Sequence, residues 1–289
     1  MKITVIGLGK MGSVLVKRLL QANFQVTVFN RTAEKMQASI QAGASGAATL
    51  KDAVENAEVV ITSLFDDSVV SQVVAGFVDF LPAGAIHIGT STILPETSKK
   101  LFDLHQSKGS IYLAGNVLGV PKAAERGELT SIVAGDKAAI EQCQSIFMAY
   151  STKLIVAGVH PYQANVVKIC MNYMLATAIE AMGELYTFAE KNAVDLELIN
   201  SMFHSIFGHP AFKLYVDKIK DRDFSNVNFD LKGGFKDISL FQQAFANVFV
   251  VPDIINVIKD KFVIAMAHNM QDKDWSAVTE ITRKQANIV

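Results

Sequence analysis

Lys168 and Asn172 are the two side chains in this sequence best placed for acid–base work on an organic substrate. They sit in Asn165-Val166-Val167-Lys168-Ile169-Cys170-Met171-Asn172-Tyr173-Met174-Leu175, a run otherwise apolar nearly all round. On a helix, Asn165, Lys168 and Asn172 share one face, and Glu180 and Glu184 extend it. A lysine in such surroundings must reach water, find a partner, or titrate below its usual value. The last is what a proton donor near neutral pH needs, and Asn172 can then hold the substrate oxygen or orient the amine. A structural Lys–Glu arrangement accounts for the same stripe. The residues alone leave both readings open.

A second chemical signal lies at the start of the chain. Gly7-Leu8-Gly9-Lys10-Met11-Gly12 fits G-x-G-x-x-G, with a strand-like run before it and an amphipathic helical run after it. In that context Gly7 permits the tight turn, Gly9 lets main chain approach a pyrophosphate, and Gly12 brings helix and strand together. Lys10 and Met11 complete the turn, and the anion rests on the helix N-terminus. The end of the second strand reads Phe29-Asn30-Arg31-Thr32, with Lys35 one turn on. A site for NAD places Asp or Glu there to bind the ribose 2′-hydroxyl. Here Arg31 offers a planar fork for phosphate oxygens instead, Thr32 adds a hydroxyl and caps the next helix, and no carboxylate opposes a 2′-phosphate. The expected cofactor is NADP(H).

These groups need elements to carry them. Strand-like runs occur at Lys2–Ile6, Gln25–Phe29, Val59–Ser63, Ala85–Ile88, Ser110–Leu113, Ser131–Ala134 and Lys153–Val156, several of them continuously apolar. Helical stretches fall between them, among them Met11–Ala22, Ala33–Gln41, Pro95–Lys108 and Lys137–Ala149. Such alternation predicts an α/β, doubly wound Rossmann domain over residues 1–159. From His160-Pro161 to about Asn192 only Gly183 interrupts a helical pattern, which makes a rod of roughly 45 Å. Leu196–Phe207, Ala211–Lys220, Gly234–Asn247, Asp253–Asn269 and Trp275–Gln285 also read as helix. Residues 160–289 are therefore expected to form an all-helical domain. A helix so apolar should be buried within a domain or between subunits.

Composition narrows the function classes. Of 289 residues, 50% are hydrophobic, and 27 basic side chains balance 28 acidic ones. That excludes disorder and a charge-driven nucleic-acid binder, and leaves any anionic ligand to a local site. Cys143 and Cys170 form no disulfide framework and no metal-ligand spacing, so they read as buried reduced thiols, and no metal site is expected. No signal peptide or membrane span is legible, and the expectation is a soluble, cytoplasmic protein with a small-molecule substrate.

With these motifs in place, the sequence resembles the β-hydroxyacid dehydrogenase family, which includes 3-hydroxyisobutyrate dehydrogenase and belongs with 6-phosphogluconate dehydrogenase. The resemblance covers essentially the whole chain. It rests on Gly7–Gly12, on Gly89-Thr90-Ser91-Thr92-Ile93-Leu94-Pro95-Glu96-Thr97, on Lys168-x-x-x-Asn172, and on Lys236-Asp237-Ile238-Ser239-Leu240. It implies domains joined by the long helix, an active site in a cleft between them, and homodimers or homotetramers formed through the helical domain. It implies that Lys168 gives a proton to the substrate oxygen as hydride arrives, and that Asn172 positions substrate. Thr92 and Lys236 become contacts at the nicotinamide end, and Leu64, in Ser63-Leu64-Phe65, a main-chain contact beside the ribose. Without the resemblance, Lys236 reads as surface charge near a helix start.

One stretch departs from the family pattern. Where the family's substrate loop usually reads Asp-Ala-Pro-Val-Ser-Gly-Gly, this chain has Ala114-Gly115-Asn116-Val117-Leu118-Gly119-Val120. Leu118 replaces the serine and Val120 the second glycine, while Gly119 keeps its N–H. Losing a hydroxyl donor to a carboxylate costs about 1.5–3 kcal/mol. Small hydroxy acids fit such a site poorly, and a less polar carbonyl or an imine fits better. Imine reductases resemble this family and carry an aliphatic residue at that point, but usually replace the lysine. Non-catalytic relatives that serve as binding modules have lost the lysine too. A 6-phosphogluconate dehydrogenase-like activity would need a longer helical domain. The reading is thus an NADP-dependent reductase of a small carbonyl compound, with imine reduction and a non-catalytic NADP-binding module as alternatives.

Overall fold

The structure is a computed structural model and describes residues 1–288. The chain divides into two compact units, Met1–Lys168 and Ile169–Val289.

The first unit is built on one eight-stranded sheet in the order β3-β2-β1-β4-β5-β6-β7-β8. The strands are β1 (Lys2–Ile6), β2 (Gln25–Phe29), β3 (Ser45–Gly46), β4 (Val59–Thr62), β5 (Ile86–Gly89), β6 (Ile111–Leu118), β7 (Leu129–Ala134) and β8 (Ser151–Gly158). All pairings are parallel except β6 with β7. Around them lie α1 (Lys10–Gln21), α2 (Gln37–Gln41), α3 (Leu50–Val54), α4 (Asp67–Ala75), α5 (Pro95–Ser107), α6 (Pro121–Glu125), α7 (Lys137–Gln142) and α8 (Gln144–Tyr150).

The strand side chains show why the sheet is covered twice. Val59 and Ile61 join a core with Leu15, Leu19, Phe147 and Tyr150, on the α1 and α8 side. Val60, between them, joins Val54, Val70, Val74 and Leu101 on the other side. Successive residues of a strand face opposite ways, so a run of apolar residues is what two covering layers require. Chain order reverses between β1 and β4, and ligands of open α/β sheets bind at such a switch point.

Two boundaries differ from the sequence reading in ways that matter below. The strand read as Ser110–Leu113 continues to Leu118, because antiparallel pairing with β7 carries Ala114 to Leu118 opposite Ala134 to Thr130. Most of the expected substrate loop is therefore strand, and only Gly119 and Val120 connect it to α6. The helix read as Ala33–Gln41 is a 3-10 turn, Ala33–Met36, running into α2. At β8, the outermost strand, the register with β7 shifts twice, between Leu129 and Thr130 and between Val133 and Ala134.

The long helix α9 runs unbroken over Tyr162–Lys191 and begins in the first unit. The second unit adds α10 (Leu196–Ile206), α11 (Pro210–Asp221), α12 (Leu231–Ala246), α13 (Asp253–Ala267) and α14 (Thr279–Gln285). Its buried centre includes Leu231, Ile238, Phe241, Ile258, Phe262 and Trp275. Trp275 donates its indole N–H to the Tyr215 hydroxyl at 2.8 Å, so the largest apolar side chain is buried with its polar atom satisfied.

Burial corrects the expectation that both thiols are buried. Cys170 is exposed, whereas Cys143 is buried and its thiol is pushed up to about 12 by burial. Met171, Met174, Leu185 and Phe188 are exposed as well, so one apolar face of the helix is uncovered in the single chain. Among the described residues, no helix is long and apolar enough to cross a membrane.

Candidate active site

The glycine turn follows β1 directly. Gly7 has φ +95, and a Cβ there would fall 2.3 Å from the Ser63 carbonyl oxygen. A Cβ on Gly12 would fall 2.0 Å from the Gly7 oxygen, so helix and turn meet at a distance only glycine permits. Gly9 is different: nothing lies within 4 Å of where its Cβ would be, and that side of the main chain is open. Gly9 also precedes α1 and supplies no side-chain cap, and the start of a helix presents main-chain N–H groups that suit an anion. A cradle of this shape fits a dinucleotide pyrophosphate.

At the end of β2, Asn30 accepts from the Leu8 N–H at 3.0 Å and donates to the Thr32 carbonyl at 2.9 Å. Both ends of its amide thus build the turn around the glycines. Arg31, Thr32 and Lys35 are exposed beside it. Thr32 occupies the position before the 3-10 turn, but its hydroxyl makes no capping bond; the expected cap is absent because Lys35 N–H is taken by the Thr32 carbonyl at 3.2 Å.

The crevice continues along the ends of β4, β5 and β6. Leu64 donates its N–H to the Ser91 hydroxyl at 2.9 Å. Asn116, wholly buried on β6, donates to the Ser91 carbonyl at 2.9 Å and holds the segment leading into Thr92. Thr90 is tied to the Thr62 carbonyl through both its N–H and its hydroxyl. Behind Thr62 runs a buried chain: Thr62 Oγ1 to His87 Nε2 at 2.9 Å, His87 Nδ1 to His105 Nε2 at 2.9 Å, and His105 Nδ1 to Ser110 Oγ at 2.8 Å. Burial holds both imidazoles below their usual value, His105 at about 4, and the neighbouring His105 adds to the effect on His87.

Lys168 is half-buried and donates from Nζ to the Val117 carbonyl at 2.7 Å. That bond sets the amine at the carboxyl end of β6, next in the chain to Leu118, Gly119 and Val120. Gly119 has φ +130 and turns the chain sharply there. The glutamates of the stripe take another partner. Glu180 and Glu184 both bind Lys261 on α13, Glu184 at 3.0 Å, so the structural arrangement involves a different lysine. Glu180 is buried, and burial pushes its carboxyl above the usual range while Lys261 opposes this.

Four residues beyond Lys168 on the same helix, Asn172 donates to Asp237 Oδ2 at 3.0 Å. The other Asp237 oxygen lies 3.2 Å from Lys236 Nζ. Asp237 is 3% exposed and orients both neighbours at once.

Residues 2–158 match a family model described as the NAD binding domain of 6-phosphogluconate dehydrogenase. Residues 163–282 match one described as NAD-binding of NADP-dependent 3-hydroxyisobutyrate dehydrogenase. The chain belongs to the β-hydroxyacid dehydrogenase family. The uncharacterized oxidoreductase YfjR of Bacillus subtilis is 33% identical to it over 281 residues, 96% of this chain and 98% of that protein. The NAD-dependent L-serine dehydrogenase of Pseudomonas aeruginosa is 29% identical over 254 residues, 84% of this chain and 85% of that one. A structure of Mycobacterium tuberculosis 3-hydroxyisobutyrate dehydrogenase with L-serine superposes with a TM-score of 0.88 at 23% identity, covering 98% of this chain and 99% of that one.

In this member of the β-hydroxyacid dehydrogenase family the sequence reading assigns no role to two residues that hold their neighbours, Asp237 and Asn116. Asp237 adjoins Lys236 in a motif of the resemblance but has no role there; its burial and its bond to Asn172 give it away. Asn116 reads as part of a loop, and only the extension of β6 shows it as a buried amide that must find partners. Among the described residues, no group of His, Cys, Asp and Glu is arranged to hold a metal ion. The chain is an NAD(P)-binding oxidoreductase, and its glycine cradle fits the nucleotide that its family models describe.

Proposed function

We propose that this protein reduces a small carbonyl compound with NADPH, and that Lys168 protonates the product oxygen. The observation that carries this reading is the Lys168 amine, held 2.7 Å from the Val117 carbonyl beside Leu118, Gly119 and Val120. The bound cofactor supplies the hydride. An ammonium aimed where negative charge develops stabilises the transition state and donates the proton that the alkoxide needs. Asn172, steadied by Asp237, binds the same oxygen from one helical turn away. Gly7, Gly9 and Gly12 cradle the pyrophosphate, Arg31 with Lys35 reads the 2′-phosphate, and Leu64, Thr92 and Lys236 contact the nicotinamide half. The exposed Arg31 at the end of β2, with no carboxylate in Asn30-Arg31-Thr32, supports NADP over NAD.

Leu118 supports a substrate less polar than a hydroxy acid. It ends β6 half-buried, packed against the cluster of Ala114, Ile132, Ala134 and Ala164, and offers no hydroxyl to a carboxylate. The same observation favours cyclic imines as the second reading. NADPH oxidation against two panels, short aldehydes with keto acids and cyclic imines, separates them. Turnover on the first panel that falls at least 100-fold in Lys168→Ala, with NADPH affinity within threefold, is the expected result. Turnover confined to imines, or undiminished in that variant, overturns it.

A further inference from the structure

Thr62, Gly89 and Ala114 form the last row in which β4, β5 and β6 are paired in main-chain register. The Thr90 N–H reaches back to the Thr62 carbonyl at 3.0 Å, and from there β4 and β5 give way to loops. Two residues beyond that row, one on each segment, stand Leu64, Ser91 and Asn116. A parallel ladder would continue with main-chain groups alone. Here side chains take over. Leu64 donates its N–H to the Ser91 hydroxyl at 2.9 Å, and the Asn116 amide donates to the Ser91 carbonyl at 2.9 Å. Ser91 and Asn116 are both buried, which shields these bonds from water.

This added row lies at the carboxyl ends of the strands, where ligands of open α/β sheets bind. Its members adjoin the groups assigned above to cofactor and substrate. Leu64 is one of them, and Ser91 is followed directly by Thr92. Val117, next after Asn116, accepts from the Lys168 amine at 2.7 Å. Ser91 is the joint of the row. Its hydroxyl is committed to one neighbour and its carbonyl to the other, so a displacement of the Asn116 amide is passed to both Leu64 and Thr92. In the stretch aligned with Asp-Ala-Pro-Val-Ser-Gly-Gly, Asn116 stands at the proline. Proline has no side-chain donor, so the bond from Asn116 is absent from the usual family pattern.

We propose that Ser91 and Asn116 are positioning residues, which together hold Leu64 and Thr92 at a fixed distance from the carboxyl end of β6 and its Lys168 amine. The groups that orient the hydride donor and the group that gives the proton are then spaced by one strand end. Rate is sensitive to such spacing, since a misplacement of about 1 Å costs up to about a hundredfold. Cofactor affinity is not, because the glycine cradle and Arg31 lie outside the row. The inference rests on the reading that Leu64 and Thr92 meet the nicotinamide half, and its test separates the two.

Amide hydrogen exchange in the cofactor-free protein reads the row directly. The Leu64 N–H should exchange about tenfold faster or more in Ser91→Ala and in Asn116→Ala, while the Val60 N–H, in the middle of β4, keeps its rate. A Leu64 rate unmoved in either variant denies the joint, and one that rises together with Val60 marks general loosening; both overturn the proposal. Both variants should bind NADPH within about threefold of wild type, and single-turnover hydride transfer to the fastest compound of the two panels should fall about tenfold. Hydride transfer at the wild-type rate in both refutes the positioning role. If Thr92→Ala is equally fast, the reading of the nicotinamide contacts falls with it. A slow Thr92→Ala beside fast Ser91→Ala and Asn116→Ala removes this inference alone. Ser91→Cys and Asn116→Asp, close in size, replace any alanine variant that does not fold, under the same criteria.

Discussion

Asp237 accepts from Asn172 at 3.0 Å although the two residues are 65 positions apart, one on α12 and one on α9. A buried carboxylate that binds a neutral amide with one oxygen and an ammonium with the other makes both bonds charge-assisted and directional. Asp237→Asn keeps the size and removes the charge. It should lower kcat/KM about tenfold, chiefly through Asn172, while the melting temperature falls by only a few degrees. Unchanged kcat/KM would show that Asn172 is held by other means.

On the proposed reading, Arg31 selects NADPH over NADH. Losing a bidentate guanidinium–phosphate contact costs about 1.5–3 kcal/mol, equivalent to roughly 10–100-fold in affinity. Arg31→Ala should weaken NADPH by that factor and NADH hardly at all, as read by fluorescence titration. Equal losses for the two cofactors would place the 2′-phosphate elsewhere.

The His87–His105 chain sets a limit on acid stability. Burial holds both histidines below their unfolded value of 6.5, His105 at about 4. Below pH 6.5 the unfolded chain takes up protons that the folded one refuses, so stability is lost as pH falls from there to about 4. For His105 alone the loss is about 3 kcal/mol across that window. Urea denaturation at pH 7 and pH 4.5 should show it, and His105→Asn should flatten the difference. A wild-type protein equally stable at both values would contradict the assignment.

The uncovered face of α9 argues for self-association through the helical unit. Phe188 is 69% exposed and Leu185 half exposed, and with Met202, Phe203 and Phe207 of the α10 region they line an apolar cavity of about 290 Å³. Monomeric proteins rarely leave such a surface to water. Sedimentation velocity at micromolar concentration should find a homodimer or homotetramer, and Phe188→Glu should shift it toward monomer. A monomeric wild type would reject the interface.

Much of this was legible because local signals agree with the fold. β1 and β2 begin and end where apolar runs meet glycine or polar residues, and α9 spans the stretch between Pro161 and Asn192 with the boundaries its periodicity suggests. The glycine turn was legible too, since strand, glycines and helix follow one another in the chain. What escaped depends on partners distant in sequence. The extension of β6 to Leu118 exists because β7 folds back to pair with it, and no residue of Ala114–Leu118 announces that. Glu180 and Glu184 looked like partners for Lys168 on the same face, but Lys261, 77 residues beyond Glu184, takes both. Thr32 has the right type for a cap and lacks the local geometry.

The two register shifts along β8 bear on how copies of this chain can meet. A border strand with regular spacing offers a zipper of main-chain donors and acceptors to any passing strand. Here the irregular pairing interrupts that spacing, and Lys153 stands exposed on it, so prolonging the sheet past β8 is disfavoured. At this border, growth into ribbons is disfavoured, and the proposed self-association is left to side-chain contact between rods.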